Sequence, residues 1–426
     1  MFSFLLDGQV ESVLTHSQLD QRARAVATRL QDMDLVSQRV LLAYPDGLDF
    51  IVGFFGCLYA GCVAVPTCLP HCRTLDRFHA IAADARARLV LSTATAAARH
   101  LAMIEQGRGR SESTPPIPWL ASDEIPSALA ERWAMPEITA ETLAMLQYTS
   151  GSTSQPKGVM VSHSNLVHNT RAIVEAFGMG QKPAKDTGVL WLPTYHDMGL
   201  VGGVLVPMLS GVASVLMAPA AFLQKPVAWL EAISKHRATI SGGPNFAYDL
   251  CVRRITDEQR ATLDLSCWRL AFVGAEPIQP ETLERFAAEF APCGFNPAAF
   301  YPCYGLAEAT LMVSGAVRGS GPTVRAFDDA ALTKNLVASV AGKSSEGRRL
   351  VSCGAPVGDS RVEIVDAQTR TKVVSGRVGE IWVAGSSVGQ GYWEADEQTH
   401  RAFNAQLSDT GEGPLLRTGD LGFVFE

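Results

Sequence analysis

Apolar residues along this chain recur in two alternating registers, one with helical spacing and one as short unbroken runs. Leu19, Ala23, Val26 and Leu30 fall three or four apart, so they predict one buried face of a helix opened by Thr15 or Ser17. The run 40–43 that follows reads as a buried strand, and the runs 88–92 and 188–192 repeat it. Two uncharged stretches, 51–72 and 198–224, are long enough to span hydrocarbon. Both are interrupted, by Gly53, Gly56, Gly61 and Pro66 in the first and by Gly202, Gly203, Pro207, Gly211 and Pro219 in the second. Each is better read as a buried helix turning directly into a buried strand: 51–60 into 62–65, and 200–209 into 213–217. No transmembrane segment is expected.

Helix and strand in alternation predict an α/β fold with largely parallel, doubly wound sheets, whose ligands gather at the carboxyl ends of the strands. The polar, Pro-rich stretch 107–118 reads as a surface excursion. After about Leu350 the texture changes: 362–365, 380–383 and 423–425 read as short strands separated by Gly, Asp and Ser, and predict a small β-rich subdomain.

Composition narrows the class. At 426 residues two or three compact units are expected. Charged residues are 19% against a usual share of about 25%, and 47% are hydrophobic, which suits a well-buried enzyme core. A net charge of −7 argues against a nucleic-acid binder, which would carry a basic face. Nine cysteines, an odd number with no signal peptide before them, read as reduced thiols of a cytoplasmic protein. Cys68, His71 and Cys72 form the one compact cluster with metal-ligand character, and no second ligand pair follows at zinc-ribbon spacing.

The densest chemistry lies at 148–158, where Tyr148, Thr149, Ser150, Gly151, Ser152, Thr153, Ser154, Gln155, Pro156, Lys157 and Gly158 sit between apolar segments. Glycines let backbone N–H groups turn toward an anion, hydroxyls add rotatable donors, and Lys157 adds charge. A lysine about 4 Å from a phosphate oxygen gains roughly 4 kcal/mol at an effective dielectric near 20, against roughly 1 kcal/mol net per neutral hydroxyl bond. Lys157 should dominate binding while the hydroxyls shape the loop. A Walker loop would end in Gly-Lys-Ser/Thr, whereas here Lys157 precedes Gly158 and Val159. A Ser/Thr-rich surface turn is the competing account of the loop taken alone.

Four further clusters follow predicted strands. Tyr195, His196, Asp197, Met198 and Gly199 precede a buried apolar helix, so His196 and Asp197 sit where such sheets do their chemistry. A helix-capping Asp beside a structural His explains them equally well. Gly274, Ala275 and Glu276 form a strand-to-helix turn, or an ordinary loop. Tyr304, Gly305, Leu306 and Glu308 combine an aromatic that can stack on a base with an acid that can hold Mg²⁺, and a single carboxylate suffices for a cation bound to polyphosphate. The alternative is an acid favoured in the first turn of a helix, worth about 0.3–1 kcal/mol. Asp420, after Arg417, Thr418 and Gly419, is predicted in a tight turn where its two oxygens can accept both hydroxyls of a ribose.

In this order the clusters resemble the adenylate-forming superfamily of acyl-CoA synthetases, peptide-synthetase adenylation domains and luciferases, over essentially the whole chain. The wording is most similar to the fatty acyl-AMP ligases, on the loop 148–157 with Ser152, on Tyr195 through Leu200, on 243–248, and on a polar stretch 319–349 that looks like that family's insertion. A solvated loop is the other account of that stretch. The resemblance implies two doubly wound, mostly parallel sheets over 1–350 and a small distorted β-barrel subdomain over 351–426. It implies ATP and Mg²⁺, a fatty-acid substrate, and transfer of the acyl group from acyl-AMP to the phosphopantetheine thiol of an acyl carrier protein. By the same resemblance Thr149 through Lys157 hold the leaving phosphates, Glu308 holds Mg²⁺, and His196 borders the reacting carboxylate. Tyr304 faces adenine with Gly274, Ala275, Glu276, Gly305 and Leu306 about it, and Asp420 takes the ribose. Met198, Gly199, Gly202, Phe246 and Tyr248 are the candidates for an apolar acyl path.

Relatives continue past the Arg-Thr-Gly-Asp segment into a small C-terminal domain with a catalytic lysine, while this sequence stops at Glu426. The expectation is therefore a large N-terminal part that binds nucleotide and acyl-adenylate and adenylates weakly. An acyl-CoA synthetase, an amino-acid-activating domain and a non-catalytic adenylate- or lipid-binding module are the alternatives. A P-loop NTPase is disfavoured by the Lys-Gly order.

Overall fold

A computed structural model describes residues 1–71, 74–105, 117–149, 156–179, 186–340 and 347–425. The expected surface excursion at 107–118 falls almost wholly outside them. The chain forms two compact units, one of residues 1–166, 191–219 and 392–394, the other of residues 167–190, 220–391 and 395–426.

In the first unit, helix His16–Asp32 opens on a capping box, with the Thr15 hydroxyl accepting from the Gln18 amide and the Gln18 side chain accepting from the Thr15 amide. Its face of Leu19, Ala23, Val26 and Leu30 is buried, as the spacing predicts. Both long uncharged stretches resolve into helix then strand: Asp49–Ala60 into Val63–Cys68, and Met198–Ser210 into Ala213–Met217. Among the described residues no helix is long and apolar enough to cross a membrane. The main sheet runs in the order Lys157–Ser162, Leu143–Thr149, Val63–Cys68, Arg39–Tyr44, Leu89–Ser92, Trp119–Ala121. Every pairing is parallel except the first, which is antiparallel. A hairpin of Phe2–Leu6 and Gln9–Leu14 pairs in parallel with Ala213–Met217. The sequence reading does not anticipate it, although Asp7-Gly8, both at positive φ, is the dipeptide that closes two-residue hairpins.

In the second unit, strands Thr187–Leu190, Ile240–Gly243, Leu270–Val273 and Phe300–Gly305 pair in parallel, and Met312–Gly315 and Ala355–Pro356 extend the sheet antiparallel. Trp229, Tyr248, Trp268, Phe286 and Phe300 pack behind it, mostly edge to face, at centroid distances of 5.1–6.3 Å. A separate antiparallel sheet joins Arg361–Val365, Gly379–Ala384 and Leu416–Gly422. The strand expected at 423–425 does not form. Pairing with Gly379–Ala384 ends at the Gly379–Gly422 pair, and Phe423 and Phe425 instead set their rings edge-on to Phe327 at 5.0 and 5.2 Å.

Trp268 is 1% exposed, and its indole N–H donates to the Leu270 carbonyl at 2.9 Å. Trp268→Ala should lower stability by about 3–5 kcal/mol in equilibrium urea unfolding, and Trp268→Phe by clearly less.

Candidate active site

The sequence-predicted residues divide between the two units. In the first, Thr149 and Lys157 are opposed in register at the end of the antiparallel strand pair. That pairing is the mouth of the phosphate-type loop; Ser150, Gly151, Ser152 and Thr153 lie outside the described residues. Tyr148 and Gly158 form the adjacent pair, and a Cβ on Gly158 would come within 2.9 Å of the tyrosine ring. The Tyr148 hydroxyl donates to Asp84 Oδ2 at 2.5 Å, and burial, with Asp84 beside it, raises its pKa. Tyr148 is therefore a fixed buttress of the strand rather than a ligand group.

One residue earlier, buried Gln147 donates from Nε2 to the carbonyl of Tyr195 at 3.1 Å. This ties the Leu143–Thr149 strand to the His196 loop, a link between distant segments that no local pattern announces. Asp197 accepts from the Met198 amide at 2.7 Å and so starts a π-helix, Met198–Leu205. The same Oδ1 is ion-paired with His196 Nδ1. Both accounts of this pair thus hold in part: Asp197 caps, and it also fixes the imidazole of a side chain 57% exposed, leaving Nε2 for a ligand. Gly199 abuts the preceding loop so closely that a Cβ would stand 1.9 Å from the Pro193 carbonyl oxygen, whereas one on Gly202 would meet nothing within 4 Å. Open space beside a π-helix of half-buried Met198 and Gly202 suits a ligand-facing wall.

In the second unit, Gly274 follows strand Leu270–Val273 with its Cα pressed toward Cys303, and Ala275 takes a φ of +65°. A non-glycine residue held there is strained backbone of the kind that clusters at ligand sites. The Glu276 carboxylate accepts from the Phe246 amide at 2.6 Å and so stabilises the N-terminus of helix Asn245–Arg254. Its side chain is engaged in that contact. Phe246 is 42% exposed, but Tyr248, two residues on, has no exposed surface and donates to the Phe272 carbonyl at 2.8 Å. It belongs to the aromatic core behind the sheet, with its ring against Trp229, Phe286 and Phe300, and so lacks the exposed face that the sequence-based expectation of an acyl-lining role requires. Alternation within a helix separates it from Phe246 by about 200°.

Tyr304 and Asp420, 116 residues apart in sequence, meet directly: the phenol donates to Oδ2 at 2.7 Å. Burial raises the Tyr304 pKa, with Asp420 and Glu308 adding to it, so the phenol keeps its proton. Asp420 does not sit in an isolated tight turn. It belongs to strand Leu416–Gly422, where Thr418, Gly419 and Asp420 bulge opposite Ile381 and Gly419 has a φ of +77°. Glu380, which the sequence reading did not single out, holds that bulge. It accepts from Arg417 Nη2 at 2.7 Å and from the Gly419 amide at 3.1 Å. Burial opposes its charge, yet these hydrogen bonds prevail and set its pKa below the usual carboxylate value.

Beyond Gly305, whose Cβ would stand 1.8 Å from the Leu311 oxygen, Leu306 leads into a short turn carrying Glu308. The Glu308 carbonyl accepts from the Gly389 amide at 2.8 Å. Two residues later Thr310, at φ +69° and ψ −57°, centres a γ-turn closed by Leu311 N–H to the Ala309 carbonyl at 2.8 Å, and its hydroxyl donates to the Ser387 carbonyl at 2.7 Å. Glu308 is thus carried on clamped, strained backbone. Among the described residues no group of three or more His, Cys, Asp or Glu could hold a metal. A single hard carboxylate still fits Mg²⁺, which arrives on polyphosphate and takes one or two protein oxygens.

Two titrations follow. Asp197 hydrogen-bonding to His196 raises the imidazole above its ordinary value near 6.5, against opposing desolvation, so this contribution to stability is complete below about pH 6.5 and is lost as pH rises through the folded value. Asp197→Asn should bring the His196 pKa down in an NMR titration. Glu380 has the opposite sign: its contribution is present above about pH 4.3 and is lost as pH falls through the depressed folded value. Glu380→Gln should lower stability at neutral pH and flatten the acid limb of stability against pH.

The profile of the AMP-binding enzyme family matches residues 4–393. A medium-chain fatty acid–[acyl-carrier-protein] ligase of Moorena producens is 47% identical over 99% of this chain and 72% of its own. A long-chain fatty acid–AMP ligase of Mycobacterium marinum is 40% identical over 96% of this chain and 71% of its own. A solved fatty acyl-adenylate ligase of Legionella pneumophila, in complex with acyl adenylate and pyrophosphate, superposes with a TM-score of 0.91 at 41% identity over 100% of this chain and 72% of its own. With strand-end motifs on mostly parallel sheets and relatives of this identity along its whole length, the chain belongs to the AMP-binding enzyme family, among the fatty acyl-AMP ligases.

Proposed function

We propose that the protein activates a fatty acid with ATP to fatty acyl-AMP and delivers the acyl group to the phosphopantetheine thiol of an acyl carrier protein. The observation that carries this reading is the register of Thr149 against Lys157, which puts a hydroxyl and a cation together at the mouth of a Gly/Ser/Thr-rich loop. Related ligases at 47% and 35% identity are named for a fatty acid and an acyl carrier protein, which supports that pair of substrates. The eight cysteines among the described residues are all free thiols, which suits a reducing, cytoplasmic setting.

A carboxylate oxygen of the fatty acid attacks the α-phosphorus of ATP. The bond between the α-phosphorus and the α,β-bridging oxygen breaks, and pyrophosphate leaves with that oxygen and its electron pair as the mixed anhydride forms. Thr149, Ser150, Gly151, Ser152, Thr153 and Lys157 hold the departing phosphates, where added positive charge counts most in the transition state. Glu308 is the residue to hold Mg²⁺, which supplies charge neutralisation on the polyphosphate. Tyr304 offers its ring to adenine, Gly274, Ala275, Glu276, Gly305 and Leu306 line its edge mainly through backbone, and Asp420 accepts from the ribose through Oδ1 while Oδ2 keeps Tyr304. His196, oriented by Asp197, borders the carboxylate. Met198, Gly199, Gly202 and Phe246 are the residues the family resemblance assigns to the acyl chain; it assigns Tyr248 as well, which burial makes the weakest of the five. In the second step the thiol sulfur attacks the acyl carbonyl and AMP leaves.

The test is incubation with ATP, Mg²⁺ and a ladder of fatty acids, with and without CoA, followed by mass spectrometry. Acyl-AMP should accumulate without acyl-CoA, and Glu308→Gln should lower its rate of formation about 10²–10³-fold. Ready formation of acyl-CoA, or ATP turnover independent of any acid, would refute the proposal.

A further inference from the structure

Residues 392–394 form a strap on the first unit, and each of the three engages a basic side chain of that unit. Tyr392 carries the Lys157 ammonium over its ring, 5.2 Å from the centroid. Trp393 lies under the Arg39 guanidinium at 5.2 Å, and Glu394 is ion-paired with Arg86. Trp393 also packs on the buried cluster that contains Leu146 and Tyr148, and its amide donates to the Gly158 carbonyl at 2.8 Å. The strap is thus anchored by an apolar contact, a backbone hydrogen bond to the residue following Lys157, and an ion pair. With Trp393 and Glu394 fixed in this way, the position of the Tyr392 ring is set by the fold rather than by Lys157.

We propose that Tyr392 is a positioning residue for Lys157. The lysine stem is flexible and its ammonium is a strongly hydrated point charge, so an unrestrained Lys157 would lose much freedom on taking a phosphate oxygen. The ring face attracts the cation through its quadrupole and restricts the stem in advance. An ammonium has three N–H donors, so contact with one ring face leaves donors for phosphate. The attraction is to the ring face, so a phenyl ring should serve as well. The inference rests on the reading of Lys157 as a phosphate ligand, and the experiment keeps the two separable.

Inorganic pyrophosphate is titrated by calorimetry into the intact chain and its variants. Tyr392→Leu should weaken binding about three- to tenfold, Tyr392→Phe should match the native protein, and Tyr392→pentafluorophenylalanine, which keeps the shape but reverses the ring quadrupole, should behave like Leu. In a Lys157→Ala background Tyr392→Leu should add no further loss, because the ring acts only through the ammonium. The Lys157 ε-methylene protons should show an upfield ring-current shift in the native protein and in Tyr392→Phe, and lose it in Tyr392→Leu; the fluorinated variant preserves packing if the leucine variant does not fold. If Lys157→Ala binds pyrophosphate like the native protein, the reading of Lys157 fails and this inference with it. If Lys157→Ala weakens binding but Tyr392→Leu does not, or does so equally in both backgrounds, the positioning role alone is refuted.

Discussion

Backbone-to-backbone approach at the strand ends is the constraint on which both sets of candidate residues depend. Gly199 leaves no room for a Cβ beside the Pro193 carbonyl, and Gly305 leaves none beside Leu311. At both places a polar loop folds back onto the chain that precedes or follows it, so the backbone carrying the neighbouring side chains is held by main-chain approach. His196 and Met198 are carried in this way on one unit, Tyr304 and Leu306 on the other, and Asp197 and Asp420 then orient His196 and Tyr304. A methyl at either glycine would displace backbone, which cannot yield as a side-chain end can.

Charge completes what close approach begins. Three carboxylates outside the proposed phosphate chemistry each accept a main-chain N–H: Asp197 from Met198, Glu276 from Phe246, and Glu380 from Gly419. A carboxylate hydrogen-bonded to backbone is a strong, charge-assisted fixing point, and its second oxygen, or second lone pair, remains for another partner. Asp197 uses that capacity for His196 and Glu380 uses it for Arg417. Loops that would otherwise be loosely held near a ligand are thereby pinned without adding apolar bulk to a polar surface.

This division explains what the sequence discloses. Strand-end placement of the motifs was legible because hydrophobic periodicity is local: both uncharged stretches read correctly as helix then strand, and the capping signal at Thr15 was visible. Contacts that close over long sequence distance were not. The Tyr304–Asp420 bond spans 116 residues, the Glu380 anchor of the Asp420 bulge spans 39, and the Gln147 link to Tyr195 spans 48. Tyr248 was misplaced for a related reason: an aromatic two residues from an exposed Phe246 looks like part of the same wall until helix geometry turns it into the core. The strand expected at 423–425 failed because an isolated apolar run carries no information about whether an edge remains for it to pair with.

The Tyr304–Asp420 pair shows how such a long-range contact can serve a nucleoside without rearrangement. Burial and the neighbouring negative charges keep the phenol protonated, so it remains the donor to the Asp420 carboxylate. A carboxylate offers about four acceptor positions on two oxygens, and the phenol takes one of them. The remaining positions can receive a ribose diol while the tyrosine ring stays where the bond has put it, presenting a face to a base. In the proposed site Asp420 would then have two tasks that do not compete: it orients an aromatic surface, and it would accept sugar hydroxyls with the oxygen that the aromatic leaves open. An asparagine at 420 would keep the shape of this arrangement while surrendering the charge that makes both hydrogen bonds strong.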